Sequence, residues 1–369
     1  MKLLNRRFLA LLAVIMLVIA ACGDDDTTGS TAEGGGTTVA GGGDCTVGMS
    51  WNNYNEERWA KHDEPAMKAA IEAGGCEYIS SDAGSSEEQQ ITDVENLISQ
   101  GANVVIILAQ NTQAILPAVE AATAEGIPVI AYDRLIEDAN TFYVSFDNVL
   151  VGQLMAEVIF GLVPTGNYII VKGNGSDANS DFLREGIESV IGDAVAAGDI
   201  TICCEDYTDN WDPALAQTAV EQWLTQENNE VDAVVSENDG MATGAAAALA
   251  AQGLSDIPLS GQDADVAALN RVALGTQSVS VWKDARALGT AAGTAAVALA
   301  GGATLADVEG TAEFVYTNKE SSVQTILTSI LLVPIPITQE NLNLVVDATW
   351  ITVDELCAGV TAGSVAACP

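Results

Sequence analysis

The sequence predicts an α/β protein built as two doubly wound, parallel-sheet lobes. Three observations carry that expectation. Short apolar runs alternate with helical patterns along the body of the chain, and strands alternating with helices give a parallel sheet covered by helices on both faces. The alternation falls into two sets, one ending near Asp147 and one starting near Asn167. At 369 residues the chain is long enough for two domains.

The first 22 residues stand apart. Lys2, Arg6 and Arg7 precede an apolar run over 8–21 that ends in Ala20-Ala21 before Cys22. A basic start, an apolar middle and small residues before a cut site make an export signal, and the run is shorter than the ~20 apolar residues that span a bilayer. A cysteine directly after a small pair is where bacterial lipoproteins are cleaved and acylated. The expectation is a mature chain that begins at Cys22, is held by lipid, and works on the outer side of the cytoplasmic membrane, in the periplasm or at the cell surface. Residues 23–44 are Gly, Thr, Ser and Asp with almost no large apolar side chain, so they read as a flexible tether. Folding should begin near Cys45.

Fifty-one acidic against thirteen basic side chains give a formal charge of −38. That charge favours solubility and excludes nucleic acid and anionic lipid as partners. The apolar stretch 325–337 is short and interrupted by Pro334 and Pro336, so it does not read as a membrane span.

Besides Cys22 there are six cysteines, and an exported chain permits disulfides. Cys45 and Cys76 each open a predicted strand, and those strands should be neighbours, which pairs them. Cys357 and Cys368 flank the C-terminal tail and would close it. The adjacent Cys203 and Cys204 are either a vicinal bridge or two free thiols. No metal site is expected: His62 is the single histidine, and no Cys-x-x-Cys or His-x-x-x-His spacing occurs. His62 reads as an ordinary surface helix residue.

Buried strands are expected at 104–109, 127–133, 168–173, 200–205, 231–238, 258–263 and 279–283. Between them lie amphipathic helices. One is opened by Ser85-Ser86-Glu87-Glu88, shows a face of Ile91, Val94 and Ile98, and is closed by Gly101. Two more are expected at 213–226 and 240–252.

Sheets of this kind bind ligands outside the carboxyl ends of their strands. The residues that follow each strand are therefore the candidates: Trp51-Asn52-Asn53-Tyr54 with Arg58-Trp59; Gln110-Asn111; Asp133-Arg134; Asn174 through Asn179; Asp209-Asn210-Trp211; Glu237-Asn238-Asp239; Gln262-Asp263-Ala264-Asp265; and Trp282-Lys283. Both lobes present carboxylates, amides and cations, with tryptophans among them. Such groups suit a sugar. Asp, Asn and Arg each engage two hydroxyls through strong, charge-assisted hydrogen bonds, and a flat indole covers the C–H face of the ring. Trp59 and Trp211 fall in opposite lobes and are placed to sandwich one ring.

Five segments carry a resemblance. Glu57-Arg58-Trp59-Ala60-Lys61, Ala131-Tyr132-Asp133-Arg134, Val144-Ser145-Phe146-Asp147-Asn148, Gly261-Gln262-Asp263-Ala264-Asp265 and Gly275-Thr276-Gln277-Ser278 resemble, in order, the D-xylose-binding family among the periplasmic sugar-binding proteins of bacterial ABC transporters, within the type I ribose/galactose/xylose superfamily. The resemblance runs from about Val47 to Leu344. It implies two lobes joined by three hinge crossings, with 45–147 plus 284–312 in the first and 148–283 plus 313–369 in the second. It further implies that Arg58, Asp133 and Arg134 bond sugar hydroxyls from the first lobe. Asp177, Asn179, Asn238, Asp263 and Lys283 would do so from the second lobe and the crossing, and Trp59 and Trp211 would stack on the ring. The family tends to carry an acidic pair where Asn52-Asn53 stand and an amide where Ala178 stands, and both departures would alter the wall that reads the anomeric or exocyclic group. The family does not lead one to expect Cys203-Cys204.

The implied function is capture of a monosaccharide, D-xylose or a related sugar, by hinge closure, and delivery to a membrane permease by a monomer without cofactor or catalysis. Three rival classes share features of the chain. Gly173-Asn174-Gly175-Ser176-Asp177-Ala178 satisfies the Gly-x-Gly-x-x-Ala loop of a nicotinamide-dependent oxidoreductase, but Asp177 would oppose a phosphate there. Paired carboxylates for glycoside hydrolysis are a second option. Repressors, quorum-signal receptors and chemosensory receptors share the two-lobe core, and a repressor would need a DNA-binding headpiece where the tether stands.

Overall fold

The structure, a computed structural model, describes residues 45–318 and 321–369. The export-signal, Cys22 and tether readings lie outside the described residues. β1 (Thr46–Trp51), β2 (Glu77–Asp82), β3 (Val104–Ile107), β4 (Val129–Tyr132) and β5 (Thr141–Phe146) form the parallel body of the first sheet. Its order is completed by β12 (Gln324–Leu332), parallel to β5, and β11 (Ala312–Thr317), antiparallel to β12, giving β11-β12-β5-β4-β3-β1-β2. β3 and β4 are buried at every residue, as strands covered on both faces must be. α1 (Glu64–Ala73), α2 (Glu87–Ser99), α3 (Leu116–Ala124) and α9 (Ala285–Ala300) cover this sheet. Ser86 caps α2 by accepting the Gln89 amide at 3.2 Å, as the sequence implies.

The second lobe holds β6 (Gly166–Lys172) between β7 (Ile200–Tyr207) and β8 (Ala233–Ser236). A single bridge from Val234 to Leu259 extends that sheet to β9 (Ser260–Gln262), β10 (Val279–Trp282) and the antiparallel β13 (Ile335–Ile337). Its helices are α4 (Asn148–Leu162), α5 (Ala178–Ala197), α6 (Pro213–Gln226), α7 (Asp239–Ala251) and α8 (Val266–Leu274). Short α10 (Asn343–Asp347) and α11 (Val353–Leu356) belong to the tail.

The chain crosses between lobes three times: at Asp147, at Lys283-Asp284, and between β12 and β13. The last crossing corrects one expectation. Ala312–Thr317 and Gln324–Leu332 join the first sheet rather than the second lobe, because β12 pairs with β5 from Thr328↔Phe142 to Leu332↔Phe146. The interrupted apolar run 325–337 is thus two strands in two sheets. Among the described residues no helix is long and apolar enough to cross a membrane.

Cys45–Cys76 and Cys357–Cys368 are disulfides, while Cys203 and Cys204 are free thiols. The register of β6 and β7 shifts between Tyr168 and Ile169. This bulge turns both thiols onto one face, packed against the same core cluster. Burial lifts the Cys203 thiol to about 12.

Candidate functional site

All strand ends that matter open into one crevice between the lobes. From the first lobe, the loop after β1 brings Arg58 and Trp59, and the end of β4 brings Asp133 and Arg134. From the second, Asp177 and Asn179 follow β6, Trp211 follows β7, Asn238 follows β8, Asp263 follows β9 and Lys283 follows β10. These ten residues, the set implied by the resemblance, line one cavity together with Glu56 and Gln262. Ion pairs that span it, Arg58 to Asp263 and Arg134 to Asp177, hold its walls close together, so the occupant is small.

Local chemistry explains several placements. Asp177 and Asn238 are N-caps: their side-chain oxygens accept the amides of Asn179 at 3.0 Å and Met241 at 2.8 Å. Capping holds both side chains at helix starts, which in this topology face the crevice. The same geometry answers the dinucleotide reading of Gly173 to Ala178, since the Asp177 carboxylate occupies the helix N-terminus that a pyrophosphate would need. Asp133, Trp211 and Asp263 have φ of 61°, 56° and 96°, a left-handed backbone that is uncommon without glycine and clusters at functional sites.

Charges are paired across and within the lobes. Arg58, 2 % exposed, grips Asp63 bidentately through Nη2 at 2.7 Å and Nε at 3.0 Å. Its Nη1 lies 3.1 Å from Asp133 and 3.2 Å from Asp263 in the opposite lobe. Lys283 meets the same Asp263 oxygen at 3.0 Å. Arg134 pairs with Asp177 across the crevice at 2.9 Å and with Glu56 at 3.4 Å. The indoles are tied into this network: Trp59 donates to Glu56 at 2.6 Å and Trp211 donates to Asp177 at 3.2 Å. The Arg58 guanidinium also lies 4.3 Å from the Trp59 ring centroid. The lobes touch outside the cavity as well, where Gln110 donates to Asn210 at 2.8 Å.

Burial opposes ionisation of Asp133, yet Arg58, Lys283 and Arg134 outweigh it and hold its carboxyl below the ordinary range. At Asp177 and Glu56 burial wins over Arg134 and the carboxyls are raised. Four carboxylates and three cations line the space. With its cations already paired, the cavity offers no surplus positive charge for an anion and suits a neutral, hydroxyl-rich molecule.

Of the two other lining residues, Glu56 escaped the sequence reading, while Gln262 stood among the strand-end candidates without a role. Glu56 sits in the polar run Asn55-Glu56-Glu57 beside the chosen Arg58. Gln262 precedes the chosen Asp263, is 3 % exposed, and has a buried side-chain oxygen with no partner. Among the described residues none of Asn52, Asn53 and Ala178 lines the cavity. Asn52 bonds Gln110 and Asn53 bonds Ser85 instead. His62 is no simple surface residue, for it stacks on Trp350.

Residues 47–304 match the model of the periplasmic binding protein domain. The chain belongs to the periplasmic binding protein family, and is an extracytoplasmic solute-binding protein rather than an enzyme. It is similar to the D-xylose-binding periplasmic protein of Escherichia coli (strain K12), with 40 % identity over 258 residues covering 69 % of this chain and 78 % of that one. The Haemophilus influenzae D-xylose-binding periplasmic protein is 38 % identical over 258 residues, covering 69 % and 77 %. Among solved structures, it resembles an ABC transporter solute binding protein from Clostridium phytofermentans with bound β-D-glucose (TM-score 0.75, 25 % identity, 84 % of this chain and 99 % of that one). It also resembles a carbohydrate transporter solute binding protein from Chloroflexus aurantiacus in complex with D-glucose (TM-score 0.74, 27 % identity, 84 % and 97 %).

Proposed function

We propose that this chain captures one monosaccharide, D-xylose or a close relative, between its lobes and delivers it unaltered to the permease of an ABC transporter. The observation that carries the reading is the convergence of ten strand-end residues from both lobes on one small cavity with paired charges and two indoles. Arg58, Asp133 and Arg134 bond hydroxyls from the first lobe, and Asp177, Asn179, Asn238, Asp263 and Lys283 from the second lobe and the crossing. Trp59 and Trp211 cover the ring faces. The names of the similar D-xylose-binding proteins favour a pentose. A sugar seated in one lobe gains the other lobe's contacts only on closure, and that difference in contact free energy drives the hinge. The working protein is a monomer anchored by lipid on Cys22, so that closed, loaded molecules stay beside the permease.

A thermal-shift panel of pentoses and hexoses tests the reading, because a ligand that binds only the folded state raises the melting temperature. D-xylose is expected to give the largest shift and to be recovered intact by mass spectrometry. A flat response across the panel, or a chemically changed sugar, overturns it.

A further inference from the structure

Beyond β13 the chain builds a small core of its own on α8. Leu342, Val345, Trp350, Leu356 and Val365 are buried against Leu269 and Val272. The Cys357–Cys368 bridge closes this tail, and Asn270 donates to the carbonyls of Leu356 and Ala358 at 2.8 and 2.9 Å. One residue of the tail reaches both lobes. The Trp350 Nε1–H donates to the Ala264 carbonyl at 2.7 Å. Its ring stacks on the His62 imidazole, with centroids 3.8 Å apart and planes 20° apart. The Arg286 guanidinium lies 5.2 Å from the Trp350 ring centroid, and Arg286 Nη1 donates to the Ala348 carbonyl at 2.8 Å.

The two ends of this bridge are informative. His62 lies in the turn Trp59–Asp63, one turn beyond Arg58, and Arg286 opens α9; both belong to the first lobe. Ala264 belongs to the second lobe and follows Asp263. Asp263 and Ala264 have successive positive φ of 96° and 56°, a conformation that persists only where the surroundings enforce it. Ser280 Oγ accepts the Ala264 amide at 3.0 Å, and Trp350 holds the carbonyl. Burial, then Arg286 and Lys61, lower His62 to about 4, so near pH 7 a neutral imidazole stacks on the indole.

We propose that Trp350 is a positioning residue for the cleft: one indole ties the Asp263-Ala264 turn of the second lobe to the Arg58–Asp63 turn of the first. It thereby sets the 3.2 Å approach of Arg58 to Asp263. The inference rests on the reading of the cavity as the ligand site. Neither Trp350 nor His62 lines that cavity.

Two variants test it. Trp350→Phe keeps a ring for stacking and removes the Nε1–H; His62→Leu removes the imidazole from the other side and leaves the tail intact. Each is measured by calorimetric titration with D-xylose, by amide hydrogen exchange of the ligand-free protein, and by its melting temperature. Each is expected to weaken binding about two- to tenfold, as for loss of one modest contact. Each is also expected to speed exchange in both 56–64 and 260–266. Unchanged affinity with exchange altered only in 338–369 makes Trp350 a packing residue of the tail and overturns the proposal. If Trp350→Phe lowers the melting temperature and loosens the whole tail, His62→Leu decides. If the unsubstituted protein binds no sugar, the sugar reading fails, and coupled exchange of the two turns alone upholds or refutes the brace.

Discussion

Gly173 lacks a side chain where Trp211 needs the room. A Cβ on Gly173 would come within 2.1 Å of the indole ring, so the ring lies directly on backbone, and Glu237 steadies that backbone by accepting the Gly173 amide at 2.7 Å. Gly173→Ala should therefore displace Trp211 and weaken sugar binding about tenfold, close to the effect of Trp211→Ala, since an aromatic contact of this kind contributes on the order of 1 kcal/mol beyond its buried area. Calorimetric titration reads the effect, with the melting temperature of the ligand-free protein as the control. Unchanged affinity in both variants removes Trp211 from the binding role. Much of the cavity was legible at this scale because strand-end residues are positioned by topology, and topology follows from the alternation of apolar runs. What was not legible is what depends on neighbours distant in sequence. Glu56 is chosen over Glu57 by the reach of Arg134 and Trp59. The left-handed backbone of Asp133, Trp211 and Asp263 has no glycine to announce it.

Pairing between elements separates what a local pattern can specify from what it cannot. Cys45 and Cys76 adjoin β1 and β2, which run parallel from Thr46↔Glu77 onward, and the predicted bridge forms between them. Closing a loop with a sequence separation of 31 residues restricts the unfolded chain by roughly 3–4 kcal/mol on the chain-entropy account. The double substitution Cys45→Ser, Cys76→Ser should lower the melting temperature by several degrees. It should leave sugar affinity unchanged, because neither cysteine lines the cavity. An unchanged melting temperature would show that the bridge does not constrain unfolding, and altered affinity would show that β1 carries strain into the Arg58 loop. The third crossing was misplaced for the opposite reason. Nothing local to 312–332 says that this hairpin adds to the edge of a sheet whose other strands end at Phe146; only the partner strand β5 decides it.

For the whole molecule, a charge of −38 is combined with carboxyls buried beneath the cleft, and together they set how stability follows pH. Burial raises Glu237 well above the ordinary carboxyl value. It raises Asp239 to about 7, and burial with the neighbouring Asp239 raises Asp265. A carboxyl whose folded pKa exceeds its unfolded one binds more protons folded than unfolded between the two values, so stability rises as pH falls through that interval. From pH 8 to about 6.5 these groups act unopposed, and relief of self-repulsion adds to them; the melting temperature should climb. Below 6.5 the same buried acids go on stabilising down to the ordinary carboxyl range, and two further groups enter with opposite signs. Asp63, raised by burial to about 6 despite Arg58, continues the climb. His62, lowered to about 4 chiefly by burial, opposes it, because the unfolded chain takes up that proton first. Asp133, held low by its three cations, enters only below the ordinary carboxyl range, where its protonation removes stability. The melting curve at fixed ionic strength should thus rise from pH 8 through 6.5 and keep rising toward pH 5, less steeply than it would without His62, and His62→Leu should steepen the rise below 6.5. A melting temperature that falls steadily from pH 8 to 6.5 would mean that the buried acids are ionised and compensated in the folded protein. In that case the hydrogen bonds that Ser280 and Gln277 donate to Asp239 and that Gly173 donates to Glu237 outweigh desolvation.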